Sequence, residues 1–399
     1  MKHAVSGAVA DETSYPSPPS SRPPRSRPPS TNRTYAEVSA SQLEALARAL
    51  GWNAEELQRA LDVQDRLFRP WSRQEIPRSA PYPSLIGDDH SPYEYSLAFN
   101  RSNVELRILL EAQADVPSAR GNLEAAEALN TRLVEHFGVD LSRLNQVRHL
   151  FLDRVSPPFS LWHAVCLNPG RSPEFKIYLN PAVRGASAAP ALIDEALTRL
   201  GFGSATLDVL KRFARRGTEL DEIRYFSLDL SSDAHARVKV YFAHPGATAL
   251  ELDSAFEVAP THRRGDVLEF CDVISRHHGP FDRKPVTSCL AFVAGQVEPT
   301  AVTLHLPIAH YAENDEIIRT RVTEYLAQQG LNRDPYARAL QALANRPLAT
   351  DVGTQSYASF RREKTGIRFT AYLSPELFGK KGSKRTPVHL RSIGRDPAW

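Results

Sequence analysis

Cysteine is scarce: Cys166, Cys271 and Cys289 are the three in 399 residues, too widely spaced for a zinc knuckle and too few for a disulfide framework. Buried, reduced thiols are expected. No apolar run approaches the ~20 residues needed to cross a bilayer, and the N-terminus lacks the apolar core of a secretory signal. A cytoplasmic protein without membrane contact is therefore expected. Excess charge is also missing, since 49 basic residues against 46 acidic ones leave +3. The totals thus lend no support to a nucleic-acid partner. Magnesium-binding segments of the Asp-Asp-x-x-Asp kind are lacking, because Asp88-Asp89-His90 does not continue that way. A Gly-rich phosphate loop, His-Glu-x-x-His and Cys-x-x-Cys are lacking too. Adjacent His277 and His278 read as a helix C-terminal cap facing the helix dipole. No metal and no cofactor are expected, so any phosphate must be met by side-chain cations.

What is present is ordinary globular composition, 42% hydrophobic and 24% charged, arranged in a repeat. Residues 1–35, rich in Pro, Ser and Arg, cannot bury enough apolar surface to offset the entropy of ordering and read as a disordered tail. One domain is expected over 36–378, followed by a C-terminal tail over 379–399. Ser41-Gln42-Leu43-Glu44 and Asn53-Ala54-Glu55-Glu56 each place a capping side chain three residues before a glutamate and announce two helices. A first hairpin follows, Tyr93–Phe99 and Val104–Glu111, turning across Asn100-Arg101-Ser102-Asn103. Four more fall near 160–180, 223–243, 286–307 and 355–373, at roughly 65-residue intervals. Amphipathic helix pairs separate them, at 121–137 with 141–151, 189–200 with 205–216, 248–258 with 265–277, and 314–329 with 334–345. Repetition at a long period marks an assembly of supersecondary units. Five such units make an α+β protein, and an open ten-stranded sheet would leave two vulnerable edges that closure into a barrel removes. A ten-stranded antiparallel β-barrel surrounded by α-helices is expected, with a two-layer open sheet as the alternative.

The second strands carry the chemistry. Successive side chains of a strand point to opposite faces, so Lys176 and Tyr178 share one face, as do Arg237, Lys239 and Tyr241, while Phe175, Ile177, Val238 and Val240 take the other. Lysine is rare, nine residues against forty arginines, yet Lys176 and Lys239 fall on these polar strand faces. Arg107 on the first hairpin joins them, and Glu94 adds a carboxylate. One carboxylate and four cations in a single chamber would suit a diphosphate, both as a ligand and as a leaving group whose negative charge grows as its carbon–oxygen bond breaks. Tyr178, Tyr241 and Tyr372 would present ring faces to a carbocation. Glu94, expected to stay ionised in that lumen, would accept a hydrogen bond from an N–H.

These residues resemble the dimethylallyltryptophan synthase type of indole prenyltransferase over roughly residues 36–378. Glu94 stands in Pro92-Tyr93-Glu94-Tyr95-Ser96, Lys176 and Tyr178 form a Lys-x-Tyr pair, Arg237, Lys239 and Tyr241 an Arg-x-Lys-x-Tyr triplet, and Tyr372-Leu373-Ser374-Pro375 closes the series. The resemblance implies the ten-stranded barrel and metal-independent transfer of a dimethylallyl group from dimethylallyl diphosphate to an indole ring carbon of tryptophan or a derivative. It implies diphosphate binding by Arg107, Lys176, Arg237 and Lys239 with the three tyrosines as shield, and an indole N–H bonded to Glu94. Lys176 is the candidate base. Thr303, His305 and Arg368 are additional donor-side positions, and they depart from the fungal pattern in Thr303-Leu304-His305-Leu306-Pro307 and at Arg368. Arg-rich composition and short length suggest a bacterial member, monomeric or homodimeric. Two other readings remain open, a transferase for tyrosine or phenolic acceptors and a noncatalytic diphosphate-binding barrel.

Overall fold

The computed structural model describes residues 33–154 and 159–378. The expected tails over 1–32 and 379–399 lie outside the described residues. In chain order the elements are α1 (Tyr35–Ala49), α2 (Ala54–Phe68), β1 (Tyr93–Phe99), β2 (Val104–Leu110), α3 (Ala119–Phe137), α4 (Ser142–Phe151), β3 (Leu161–Leu167) and β4 (Glu174–Leu179). They continue with α5 (Ala189–Arg199), α6 (Ser204–Phe213), β5 (Glu222–Asp229), β6 (Arg237–His244), α7 (Ala249–Phe256), α8 (Asp266–Ile274), β7 (Val286–Val293) and β8 (Ala301–Leu306). Helices α9 (Asp315–Gln328) and α10 (Asp334–Leu343) and strands β9 (Gln355–Glu363) and β10 (Gly366–Leu373) complete the chain. All ten strands form one closed antiparallel barrel, each hairpin paired with the next and β1 with β10.

Local sequence accounts for the helix boundaries. Reciprocal capping boxes start α1, α2 and α7: Thr34 with Glu37, Asn53 with Glu56, and Thr248 with Glu251. The Asn53 start was expected. Ser41-Gln42-Leu43-Glu44 instead lies inside α1, because Thr34-Tyr35-Ala36-Glu37 offers the same pattern about two turns earlier and an alanine-rich stretch carries the helix through. Helix α8 ends at Ile274, short of the expected histidine cap, with Arg276 at φ 54. His277 stacks on Tyr311 at 5.5 Å and faces the Pro280 carbonyl oxygen at 3.1 Å, so it packs a loop and does not cap α8.

Strand alternation then divides the barrel's two faces. On β1, Tyr93, Tyr95, Leu97 and Phe99 point outward and are buried beneath helices, where Tyr93 and Tyr95 donate their hydroxyls to Gln42 Oε1 at 2.8 Å and Ser39 O at 2.9 Å. Phe175, Ile177, Val238 and Val240 lie under the helical coat in the same way. The core is thus a sleeve between barrel wall and helices, and the lumen is left to polar chemistry.

Two register shifts modify the wall, one on β5 between Ile223 and Tyr225 and one on β10 between Ala371 and Leu373. A bulge re-aims side chains. Opposite the second shift, β9 turns Ser356 and Tyr357 to groups of the barrel mouth: Ser356 donates to Glu94 Oε1, and the Tyr357 ring lies 6.2 Å from that of Tyr372.

The sleeve is the stability-bearing layer. Phe270 of α8 is fully buried and packs 4.6 Å from Phe360 and 5.2 Å from Tyr325. Phe270→Ala should cost about 3–5 kcal/mol of unfolding free energy, whereas Val116→Ala, at a residue 82% exposed, should fall within about 0.5 kcal/mol of the parent. Urea melts followed by circular dichroism check both.

Candidate active site in the barrel lumen

Away from the two register shifts, every second residue of a strand faces the lumen, and register orders these side chains along the barrel axis. On β10 they run Arg368, Thr370, Tyr372, and the pairs Ala98↔Thr370 and Ser96↔Tyr372 place Glu94 one inward step beyond Tyr372. The same order recurs as Arg237, Lys239, Tyr241 on β6 and as Arg361, Ser359, Tyr357 on β9. One end is cationic, the middle is aromatic, and the far end holds Glu94.

The cationic end brings together Arg107, Lys176, Arg237, Lys239 and Arg368 as the sequence indicated, and adds Arg361. Tyr178, Tyr241, Tyr372, Thr303 and His305 line the same cavity with Cys166 and Cys289. Sequence reasoning missed the anions of this end. Glu105 accepts from Arg107, from Arg368 at 3.0 Å and from Asn168 Nδ2 at 3.0 Å, and Asp229 pairs with Arg237 at 2.8 Å. Burial opposes their charge, but Arg107 and Arg368 hold Glu105 far below the usual carboxylate range. For Asp229, Lys176, Lys239 and Arg237 overcome the same burial cost and bring it to about 2. Alternation placed both carboxylates inward. The available signal was their spacing, Glu105 two residues before Arg107, and Asp229 eight residues before Arg237 across the β5–β6 hairpin.

The two lysines differ. Lys176 Nζ lies 2.7 Å from Cys166 Sγ and 3.9 Å from Glu174. Lys239 has no hydrogen bond or ion pair among the described residues, and burial, reinforced by Arg237, pushes its ammonium down to about 7.

The middle of the lumen is a belt of rings. Tyr178 and Tyr241 lie 5.7 Å apart, Tyr241 and His305 5.8 Å, His305 and Tyr372 6.0 Å, and Tyr372 and Tyr357 6.2 Å. Burial keeps Tyr372 protonated, pushed up to about 12, and raises Tyr178 and Tyr241 as well. A second group continues it, with Tyr225 5.8 Å from Tyr241, Trp162 5.4 Å from Tyr225, and Phe159 stacked 4.0 Å from Trp162. Ile86 packs into this apolar end.

Glu94 is not among the cations, which corrects the single mixed chamber expected from sequence. It is buried, and desolvation pushes its carboxyl up to about 8 despite the Ser356 hydroxyl that donates to it. The expectation of a carboxylate ionised at neutral pH is corrected likewise: axial separation from the arginines removes the field that would have held its proton off. Beside it Lys284 reaches Asp88 at 2.6 Å and sits 4.8 Å over the Tyr357 ring, and His310 Nε2 meets the other Asp88 oxygen at 3.0 Å. Three separate loop segments bring these groups together, so no spacing in the sequence announced them.

A lumen graded from guanidinium groups through phenols to an apolar pocket with one carboxylate can hold an anion, a cation and a planar aromatic N–H compound in a line. The family model described as tryptophan dimethylallyltransferase matches residues 32–258. The structure is similar to a 6-dimethylallyltryptophan synthase from Micromonospora olivasterospora solved with DMASPP and Trp, at 31% identity and TM-score 0.82, covering 86% of this chain and 98% of that one. It is similar to a 5-dimethylallyltryptophan synthase from Streptomyces coelicolor, at 26% identity and TM-score 0.80, covering 90% and 99%. The prenyltransferase PriB, solved with product diphosphate, matches at 27% identity and TM-score 0.80, covering 89% and 99%.

The unpaired Lys239 sets a pH signature. A lysine whose value is depressed is charged below about 7 and loses its contribution to anion binding as pH rises beyond it. Affinity for inorganic diphosphate, followed by calorimetry, should therefore decline from pH 7 upward in the parent and lose that component in Lys239→Met. Equal slopes in both proteins would exclude Lys239 as the titrating group.

Proposed function

The chain belongs to the tryptophan dimethylallyltransferase family, and from that premise we propose that this aromatic prenyltransferase moves a dimethylallyl group from dimethylallyl diphosphate to an indole ring carbon of tryptophan or a tryptophan derivative, without metal. The observation that carries the reading is the axial order of the lumen, six cations at one end and buried Glu94 at the other, with the ring belt between them.

Each zone then has a task. Arg107, Lys176, Arg237, Lys239, Arg361 and Arg368 hold the diphosphate and stabilise the negative charge that grows on it as the allylic carbon–oxygen bond breaks. Guanidinium forks meet phosphate oxygens in pairs, and the ammonium groups act as point charges. Glu105 and Asp229 keep this cation cluster from repelling itself before the donor arrives. The faces of Tyr178, Tyr241 and Tyr372 stabilise the allyl cation and exclude water from it. At the far end the Trp162, Phe159 and Tyr225 rings offer a stacking surface for indole.

Glu94 orients that indole. In the free chamber it is protonated below about 8 because of burial, whereas accepting an N–H hydrogen bond favours its ionised form. The bond draws electron density into the ring as the carbocation is attacked. Since kcat/KM for the acceptor at saturating donor reports the enzyme before the acceptor binds, it should climb with pH toward about 8, the value burial sets for Glu94.

Glu94→Gln, which carries no titrating group there, should lose about 10²-fold or more in kcat/KM and show none of that climb. Calorimetry with a non-ionising thiolodiphosphate analogue should find donor binding intact in the variant. Unchanged turnover would remove Glu94 from the reaction. A separate assay tests the metal-free reading. Product formed from dimethylallyl diphosphate and L-tryptophan should persist in EDTA, and a complete loss restored by magnesium would show that side-chain cations do not suffice.

A further inference from the structure

Substitution at a ring carbon ends only when that carbon loses its proton, so a lone pair must stand where indole and allyl cation meet. Most of the belt cannot supply one. The phenols of Tyr178, Tyr241, Tyr357 and Tyr372 all hold their protons more tightly than a free phenol because they are buried. Glu94 is committed to the N–H of the same acceptor. Lys176 sits among the diphosphate-binding groups, against Cys166 and Glu174.

His305 is different. It sets an imidazole among the phenols of the belt, between Tyr241 and Tyr372 at 5.8 and 6.0 Å. Neighbouring strands fix it through the pairs with Thr287 on β7 and Ser359 on β9. Its Nδ1 is buried and has no hydrogen-bond partner among the described residues.

Resting on the transferase reading above, we propose that His305 is the proton acceptor that restores aromaticity, in place of Lys176. The allylic carbon–oxygen bond breaks and its electron pair leaves with diphosphate. A ring carbon donates a pair to the allyl cation, forming the new carbon–carbon bond. The carbon–hydrogen bond at that ring position then breaks, its pair returns to the ring, and the proton passes to the imidazole lone pair. From the imidazolium it moves to a diphosphate oxygen, which leaves the free imidazole ready for the next turnover.

The surroundings suit this sequence. Burial comes first, then Lys239, Arg107 and Arg361, in keeping the empty chamber's imidazole unprotonated, down to about 3, against the opposing pull of the Thr287 backbone. The lone pair is therefore available throughout the working pH range. A protonated indole ring carbon is so strong an acid that a weak base accepts its proton. When diphosphate is present, its negative charge offsets those same cations and stabilises the imidazolium once the proton has moved.

The decisive measurement is the primary isotope effect with ring-deuterated L-tryptophan and dimethylallyl diphosphate. In the parent the effect should be near unity, because proton loss follows the slow ionisation. His305→Phe keeps an aromatic ring in the belt and removes the base; kcat should fall about 10²-fold or more and the isotope effect should rise above about 2. His305→Gln, which retains polarity without a comparable base, should behave alike. Binding of the thiolodiphosphate analogue should be unchanged in both, showing that the chamber is folded. Lys176→Met should instead weaken that binding and leave the isotope effect near unity. Parent-like kcat in His305→Phe, a slowed variant without an isotope effect, or a raised isotope effect in Lys176→Met would each overturn the assignment. A parent enzyme that alkylates no indole or phenol would overturn the transferase reading itself, an outcome distinct from all of these.

Discussion

Closure of an antiparallel sheet on itself is the constraint from which the rest of the molecule follows. A strand can only alternate its side chains, so a closed wall gives one set to the helices outside and the other to the interior. Fully apolar outer rows, such as Val238 and Val240, satisfy the helical coat. That leaves the inner rows free of the packing duty that normally fills a small barrel. Hydrogen-bonded neighbours hold every strand at both edges, so the inner groups are carried on a rigid frame. Closely placed like charges are tolerated there because Glu105 and Asp229 are built into the same wall.

Charge and apolarity are sorted along the axis rather than mixed. Arg368, Glu105 and Arg107 belong to one end, while Glu94, kept away from them, gains a raised proton affinity from burial. Two buried carboxylates of similar intrinsic acidity therefore exist in opposite states in one lumen: Glu105 is a permanent counter-ion and Glu94 a group poised near neutrality. The same contrast separates Lys239 from the ion-paired arginines. Depth and neighbours, not residue type, set what each group does.

Much of this was legible in the chain. Alternation of period two on β4 and β6 gave the strands and their inward faces, and the spacing of the hairpins gave five units and closure. Ten of the eleven singled-out residues line one cavity. What was illegible depended on pairing between distant strands. The level of Glu94 relative to Tyr372 comes from the β1–β10 register, which no local pattern encodes. Glu105 and Asp229 went unnoticed because part of their cationic surroundings, Arg368 for one and Lys176 for the other, stands on other strands. Lys284, Asp88 and His310 meet only because three loops converge at one mouth. The start of α1 was misplaced for a local reason, since two segments carried the same capping signal and only the upstream one precedes the full run of helical spacing.

The irregular pairing of β9 with β10 carries a consequence for how such a barrel diverges. A single additional residue sends Ser356 and Tyr357 to inner groups where strict alternation would allow one. Insertion or deletion of one residue at that point would rotate the carboxylate's hydroxyl partner out of reach while leaving the arginine end untouched. The shape of that end of the lumen can thus drift by a change in strand length alone, with the cationic side chains retained. A comparison confined to aligned site residues would miss the cause.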